Sequence, residues 1–538
     1  MAEASAAPVS RPAPPATAAA GPTPWIIAPV VALAAFMEVL DISIANVSLR
    51  HIAGNLSASQ DESTWILTSY LVTNAIILPA SAWFSSVLGR KRFYLLCIAG
   101  FGASSLLCGL APSLELLILA RAVQGITGGG LQPSSQAILA DAFPPRQRGM
   151  AFAFYGIAVV FAPAIGPTLG GWITDNFSWR WVFLINVPVS VVLFFLVETM
   201  IHDPERLIAA RLARLKAGIR IDYMGFGLLA VGLGFLQVVL DKGQEDDWFS
   251  SNFIVMSSAI AAAALVGCVL WELSHKDPIV DLSLLKDKNF AIGNALMLML
   301  GFILLGSTAL IPLYVQALLG YTATDAGMVL SPGGFAIMFV MPLIGRLVTR
   351  IDVRYMIAFG LAVASTSLFL MTSYDLTIDF WTIAIYRIIQ AMGLAFLFIP
   401  INTAAYASVP PDKNSNASAL INLSRNLGGS IGISLMTTIL AQRAQYHQNM
   451  LVEHVSPYSQ TYLDRIHGLQ TMFQQHGGTA NEALLKAQGL ISQSVLLQSQ
   501  LLAYLDDFLI LAIVFAALIP FVFLMRKPAA IGGPAGAH

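Results

Sequence analysis

Residues 25–48 read WIIAPVVALAAFMEVLDISIANVS. A run of about 20 mostly apolar residues is long enough to cross a hydrocarbon core of roughly 30 Å as a helix, and the only charged side chains in this one are Glu38 and Asp41. A carboxylate at membrane depth costs on the order of 3 kcal/mol even by lenient insertion measures, so Asp41 belongs on a protein-lined, water-accessible path. An acid in such a place can carry a proton.

The rest of the chain repeats this pattern. Of its 538 residues 57% are hydrophobic and 11% charged, and the mean hydropathy is +0.72, far outside the range of soluble domains. About fourteen apolar spans of membrane-crossing length follow one another: 25–48, 64–84, 93–111, 114–140, 150–173, 181–200, 223–241, 253–272, 290–316, 326–348, 355–373, 378–402, 415–440 and 503–525. Continuous apolar runs containing Gly and Pro, rather than short alternating segments, specify helices and not an outer-membrane barrel. The class is an all-α polytopic membrane protein.

Charge gives the orientation. With both termini cytoplasmic, the inner side collects Arg90, Lys91, Arg92, Arg146, Arg148, the basic stretch 201–221 with Arg206, Arg211, Arg214, Lys216 and Arg220, then Lys276, Lys286, Lys288, Arg346, Arg350, Arg354, Lys413, Arg526 and Lys527. The outer side keeps Arg50, Arg180, Lys242, Arg443, Arg465 and Lys486, as the positive-inside rule requires. The formal net charge of −1 thus conceals a strong sidedness and gives no sign of nucleic-acid binding. Cys97, Cys108 and Cys268 all fall within spans, so neither a disulfide framework nor a metal-ligand spacing is visible. Residues 1–24, rich in Ala and Pro, and 527–538 read as disordered cytoplasmic tails, and the first of them lacks the charged start and short apolar core of a signal peptide.

Two similar basic loops suggest a duplication. Ala82 to Arg92 follows the second span and Gly345 to Arg354 follows the tenth, as expected of two related six-helix halves. The expected organisation is an N-terminal six-helix bundle over 25–200, a basic linker over 201–222, two extra transmembrane helices over 223–272, a cytoplasmic linker over 273–289, and a C-terminal six-helix bundle over 290–526. Residues 442–502 form a polar, Gln-rich outer segment within that last unit. Apolar residues at mixed three and four spacing, from Leu484 to Leu501, predict an amphipathic helix leading into the last span.

Several motifs resemble those of a known family. Leu40-Asp41-Ile42-Ser43-Ile44-Ala45-Asn46-Val47-Ser48-Leu49, Arg121-Ala122-Val123-Gln124-Gly125-Ile126-Thr127-Gly128-Gly129 and Ala162-Pro163-Ala164-Ile165-Gly166-Pro167-Thr168-Leu169-Gly170-Gly171 are similar to three signatures of the fourteen-span drug:proton antiporters of the major facilitator superfamily. Trp179 to Pro188 and Pro278 to Leu282 extend the likeness over nearly the whole chain, toward the EmrB type of multidrug exporter. The resemblance implies the major facilitator fold, two six-helix bundles plus two additional transmembrane helices. The conformational loop Gly89, Arg90, Lys91 and Arg92 departs from the superfamily pattern nearby, with Ala82 and Ser86 where Gly and Asp are common. The third signature starts with Ala162 where Gly is usual.

These residues also have physical readings of their own. Gly166, Gly170 and Gly171 with Pro167 leave one helix face nearly bare, suited either to plain close packing or to a hinge that seals and reopens a cavity. Arg121 lies inside the fourth span, where a guanidinium requires a partner or a hydrated cavity, and Asp41 or Glu38 is its natural electrostatic partner. A protonated acid would favour one orientation of the cavity and a deprotonated acid the other. The resemblance favours Asp41 as the proton carrier, with Glu38 placed to carry the proton or touch substrate. Arg387 and Gln390 repeat the spacing of Arg121 and Gln124. Arg425 is expected near a cytoplasmic helix end, Asp506 and Asp507 at the interface, and Asp325 at a helix N-terminus. Candidate walls of a mostly apolar substrate cavity are Asn74, Gln124, Gln136, Tyr155, Asn294, Tyr314, Gln316, Arg387 and Asn402, besides Trp65, Tyr70 and Gln237.

Gly125 to Gly130 lacks the Gly-Lys-Ser/Thr of a phosphate loop, and no nucleophile or zinc arrangement is present, so no enzyme is expected and the energy would come from a proton gradient without a cofactor. The resemblance implies a proton-coupled antiporter exporting lipophilic toxic compounds across the inner membrane of a Gram-negative cell. Its expected partners are an EmrA-like membrane-fusion adaptor and a TolC-like outer-membrane channel. The alternative on the same fold is an exporter of one endogenous product such as a siderophore.

Overall fold

A computed structural model describes residues 24–217, 222–275 and 278–525. Arg220, Lys276, Arg526 and Lys527, and all but Pro24 of the expected tails, lie outside the described residues. The first half contains α1 (Pro24–Asn55), α2 (Gln60–Leu88), α3 (Arg90–Leu110), α4 (Leu114–Gly128), α5 (Leu131–Ala142), α6 (Arg148–Asn176), α7 (Trp181–Leu184) and α8 (Asn186–Met200). A basic helix α9 (Glu205–Ala217) leads to α10 (Tyr223–Lys242) and α11 (Asn252–Ser274). The second half contains α12 (Lys288–Leu318), α13 (Ala323–Leu347), α14 (Val353–Met371), α15 (Phe380–Ala407), α16 (Asn414–Val452), α17 (Gln460–Gln475) and α18 (Ala480–Val522).

Among the described residues thirteen helices are long and apolar enough to cross a membrane. The fourteenth span lies in α16, whose 39 residues include the polar Asn414, Asn422, Arg425 and Asn426 and therefore score as less apolar. It crosses nonetheless because it is packed between α12, α18, α2 and α5, which supply the polar partners that lipid cannot. The fourth span is not one continuous helix: α4 ends at Gly128 and α5 begins at Leu131. Gly129 sits against the backbone of Asn74 and Gly130 against Phe93 and Cys97, so the break lets α2 and α3 approach.

Local chemistry sets the helix ends. Ser59 Oγ accepts from the Glu62 N–H at 3.2 Å while Glu62 accepts from the Ser59 N–H at 2.9 Å, a reciprocal cap. Thr322 with Asp325 and Thr479 with Glu482 repeat it, which gives Asp325 its expected helix-terminal role. Gly89, at φ +91°, makes the tight turn from α2 to α3, a conformation open to Gly at no steric cost. Residues 442–502 are a helical extension rather than a loop. α16 continues out to Val452, α17 folds back, and α18 runs unbroken from the extension into the last span.

The two halves meet mainly where α6 lies against α13, with further contacts of α16 on α2 and α5 and of α15 on α6, while the α10–α11 pair leans on α2. Arg90, Arg148, Arg350, Arg354 and Lys413 gather at one end of the bundle, where the turns into α3, α6, α14 and α16 lie; we call this the basic end. Within the second half α12 and α16 cross at near contact, because Gly301 faces the Arg425 carbonyl and Gly428 and Gly432 face the Leu298 and Phe302 carbonyls. This is the small-residue packing that substitutes for a hydrophobic driving force in lipid. A methyl group has no room there, so Gly428→Ala is expected to cost about 1–3 kcal/mol by overpacking and to lower the melting temperature in detergent. Gly468→Ala, where a Cβ meets open space, should leave it unchanged.

Candidate functional site

Asp41 is sealed within the first half. Its carboxylate is 0% exposed; Oδ2 accepts from Arg121 Nη1 at 2.5 Å, and Oδ1 accepts from Gln124 Nε2 at 3.0 Å and from Asn186 Nδ2 at 2.7 Å. Arg121, also 0% exposed, donates from Nε to the Ile66 carbonyl at 3.2 Å and from Nη1 to Gln124 Oε1 at 2.7 Å. Its guanidinium lies 4.3 Å from the centre of the Tyr70 ring and 5.5 Å from that of Phe183, a cation–π arrangement strengthened by desolvation. Gln124 donates in turn to Ser105 Oγ at 2.7 Å. Of the two acids that sequence offered to Arg121, the structure pairs Asp41.

Glu38 is three residues earlier on α1 and looks elsewhere. It is 1% exposed. Its Oε1 accepts from Asn74 Nδ2 at 3.0 Å, while Oε2 has no hydrogen-bond partner among the described residues. Asn74 also donates to the Tyr70 hydroxyl at 3.5 Å, so Tyr70 connects the acids: its ring lies against the Arg121 guanidinium and its hydroxyl against the amide that holds Glu38. Beside Glu38 lies Gln132 of α5, which accepts from Arg425 of the second half. Glu38 therefore belongs to the interface between halves, and Asp41 does not.

That interface is a network of amides. Gln136 on α5 donates to Asn402 Oδ1 on α15 and accepts from Asn422 Nδ2 on α16 at 2.6 Å. Tyr155 on α6 donates to Asn422 Oδ1 at 3.0 Å, and Arg425 donates to Gln132. Arg425 thus lies buried against the first half rather than at a helix end, the opposite of the sequence expectation, because Gln132 supplies the acceptor that water would supply at a terminus. At the basic end Arg90 pairs with Asp141 and donates to Ser415 Oγ at 3.1 Å, while Asn414 Nδ2 bonds Asp141 Oδ1 at 2.5 Å. A charged lock joins the halves there although Ser86 supplies no acid; the acid comes from Asp141 instead. Arg206 on α9 also binds Asp141, Arg214 donates to Ser86 Oγ at 2.9 Å, and the Lys91 N–H donates to Asp203 Oδ1 at 3.0 Å. Arg92 is exposed.

The glycine cluster lies on both sides of α6. Gly166 and Gly170 face Ser43 and Ile44 of α1, and Gly171 faces Thr324 of α13, which a Cβ would approach to 3.0 Å. Pro167 lies between them inside the helix. Helix α1 and the second half thus rest on opposite bare sides of α6.

The remaining residues named from sequence scatter. Asn294 donates to Ser424 Oγ at 2.7 Å within the second half. Tyr314 donates to the Asp375 carbonyl at 2.7 Å, and Gln316 is exposed and bonds the Pro312 carbonyl of its own helix. Arg387 donates to Gln390 Oε1 and to Thr308 Oγ1 at 3.0 Å, with Thr308 where the first half has an acid. Sequence reasoning gave no role to Asn186, Ser105, Gln132, Asp141 or Asn414. Asn186 alone carried a signal, as a polar residue inside a quoted apolar motif.

Breaking a buried pair by removing one partner leaves an uncompensated charge, typically about 3–5 kcal/mol. Arg121→Gln should therefore melt well below the parent, and Asp41→Asn in the same chain should restore much of the loss. A double-mutant cycle of melting temperatures measures that coupling.

Comparison with known proteins agrees with this architecture. The chain is 36% identical over 513 residues to the multidrug export protein EmrB of Escherichia coli K12, covering 94% of this chain and 96% of that one. It is 36% identical over 507 residues to the fatty acid resistance protein FarB of Neisseria gonorrhoeae, with the same coverages. In fold it matches the proton:xylose symporter XylE with a TM-score of 0.57 at 13% identity, over 93% of this chain and 96% of that one. The model of the Major Facilitator Superfamily matches residues 31–433, and the chain belongs to that superfamily.

Proposed function

We propose that this protein is a proton-coupled antiporter that exports lipophilic toxic compounds by alternating access, with the basic end in the cytoplasm. The observation that carries the reading is the sealed Asp41–Arg121–Gln124–Asn186 cluster one helical turn from Glu38, an interface acid with an unsatisfied oxygen. The relatives that bear on it are named for multidrug export and fatty acid resistance.

The chemistry runs through charge. Protonating Asp41 removes the anion that fixes Arg121, so the guanidinium keeps only its bonds to Ile66 and Gln124 and its stacking on Tyr70. Movement of Tyr70 is felt at Asn74 and hence at Glu38, which lies among the groups joining the halves. Opening toward the cytoplasm requires breaking the Arg90–Asp141–Asn414 lock and the Gln136–Asn402 and Tyr155–Asn422 bonds; each is cheap once water can replace it. Opening exposes amides and a phenol amid apolar wall, a surface that orients lipophilic molecules with few polar groups. The bare sides of α6 let α1 and α13 slide while staying in contact with it.

Placed outside, the extension formed by α16, α17 and α18 suits contact with a membrane-fusion adaptor, which would make the protein the inner-membrane pump of a tripartite system reaching an outer-membrane channel. Replacing residues 455–479 by a short Gly/Ser linker should abolish adaptor recovery in a pull-down while leaving drug binding intact; undiminished recovery would remove this contact.

Antiport itself is tested in proteoliposomes by proton movement on drug addition. Asp41→Asn should abolish drug-driven proton flux yet still bind drug, and Glu38→Gln should weaken drug binding and flux together. Full flux in Asp41→Asn would contradict the assignment.

A further inference from the structure

The second half contains a buried acid that the mechanism above does not use. Asp507, expected from sequence at the interface, is 0% exposed on α18, and neither carboxylate oxygen has a hydrogen-bond partner among the described residues. Its neighbour Asp506 takes both nearby cationic groups: Asp506 Oδ2 lies 2.6 Å from Arg443 Nε and 2.7 Å from His447 Nε2. These three side chains are 26%, 39% and 17% exposed, so they reach the outer aqueous side from which Asp507 is hidden.

The other groups around Asp507 are phenols. On α18, Tyr504 packs on Tyr314 of α12 with ring centres 5.5 Å apart, and Phe508 packs on Tyr374, beyond α14, at 5.6 Å. Tyr374 is stacked between Tyr314 and Tyr386, and its hydroxyl is a second buried polar group without a partner among the described residues. Asp375 follows Tyr374 and accepts from Tyr314 through its carbonyl. The remaining neighbour, α17, packs on α18, and its Arg465 shares a surface cleft with Leu490 to Gln498 of α18, more than two turns before Asp507. Arg387, beside Tyr386 in sequence, spends its bonds on Gln390 and Thr308. Among the described residues the cation that acts on Asp507 is Arg443, whose bond goes to Asp506, and an ionised carboxylate without donors of its own in such surroundings is poorly tolerated.

We propose that Asp507 is a second proton-binding site, in the C-terminal half, filled from the outer side through the Asp506–His447 pair. The His447 Nε2–H bond breaks as its proton passes to Asp506 Oδ2, the Asp506 O–H bond breaks in turn as one O–H bond forms on Asp507 and leaves that acid neutral, and the medium reprotonates His447; release reverses the path. The occupancy of this site stands on geometry alone, and its part in transport rests on the antiport reading.

Infrared pH-difference spectroscopy of the full chain in lipid nanodiscs separates the two. At neutral pH the parent should show a carbonyl band of protonated carboxylic acid that Asp507→Asn removes, that Asp507→Glu shifts without removing, and that Asp41→Asn and Glu38→Gln leave in place. A band unaffected by both Asp507 substitutions, or its absence from the parent, overturns the proposal. Asp506→Asn should retain the band and slow its response to a pH jump; an unchanged response overturns the path. Absence of drug-driven proton flux in the parent would sink the antiport reading while leaving the band result to stand or fall by itself.

Discussion

A guanidinium and a carboxylate 2.5 Å apart, with no access to solvent, fix α4 against α1 across 80 residues of sequence. Neither group is tolerable alone at that depth, since a lone buried charge costs several kcal/mol after relaxation. Every other contact of the cluster follows from satisfying the pair: Gln124 and Asn186 on the carboxylate, the Ile66 carbonyl and the Tyr70 ring on the guanidinium. Helices α1, α2, α4 and α8 are thereby held in one register, and a change of charge at one oxygen is felt by all of them.

The interface between halves is built on the opposite rule. Most of its bonds are between neutral amides and a phenol, joined by the Arg425 donation to Gln132 and capped at the basic end by the Arg90–Asp141 lock. Neutral hydrogen bonds contribute about 1 kcal/mol each when water is the alternative, so many can hold a closed state without making it permanent. Strong pairing within a half and weak, replaceable pairing between halves is the energetic arrangement that rigid-body rocking requires. Glu38 is the acid placed at the junction of the two regimes.

The spans and their order were legible because apolar length is a local property, and so was the need of Arg121 for an acid on α1. Which acid made that pair was not legible: Glu38 and Asp41 are three residues apart on α1 and differ only modestly in direction. Asp141, Asn414 and Ser415 escaped notice because Asn414 and Ser415 meet the first half across more than 270 residues of sequence. Their polarity looked like that of any helix end. Arg425 and Asp507 were misplaced for one reason. A charged side chain near a span boundary reads as solvated, and only packing shows that α2, α5, α14 or α16 covers it.

In the proposed mechanism the charge state of the α1 acids sets which arrangement of the halves is populated. The most direct measurement is the distribution of distances between spin labels at Gln147 and Asp412, both exposed at the basic end, read by double electron–electron resonance in nanodiscs as pH is varied. The three native cysteines are buried, which limits competing label. Acid pH should shift the population between a short and a long distance, and Asp41→Asn should show the acid-like distribution already at neutral pH. A distribution indifferent to pH and to that substitution would contradict the account.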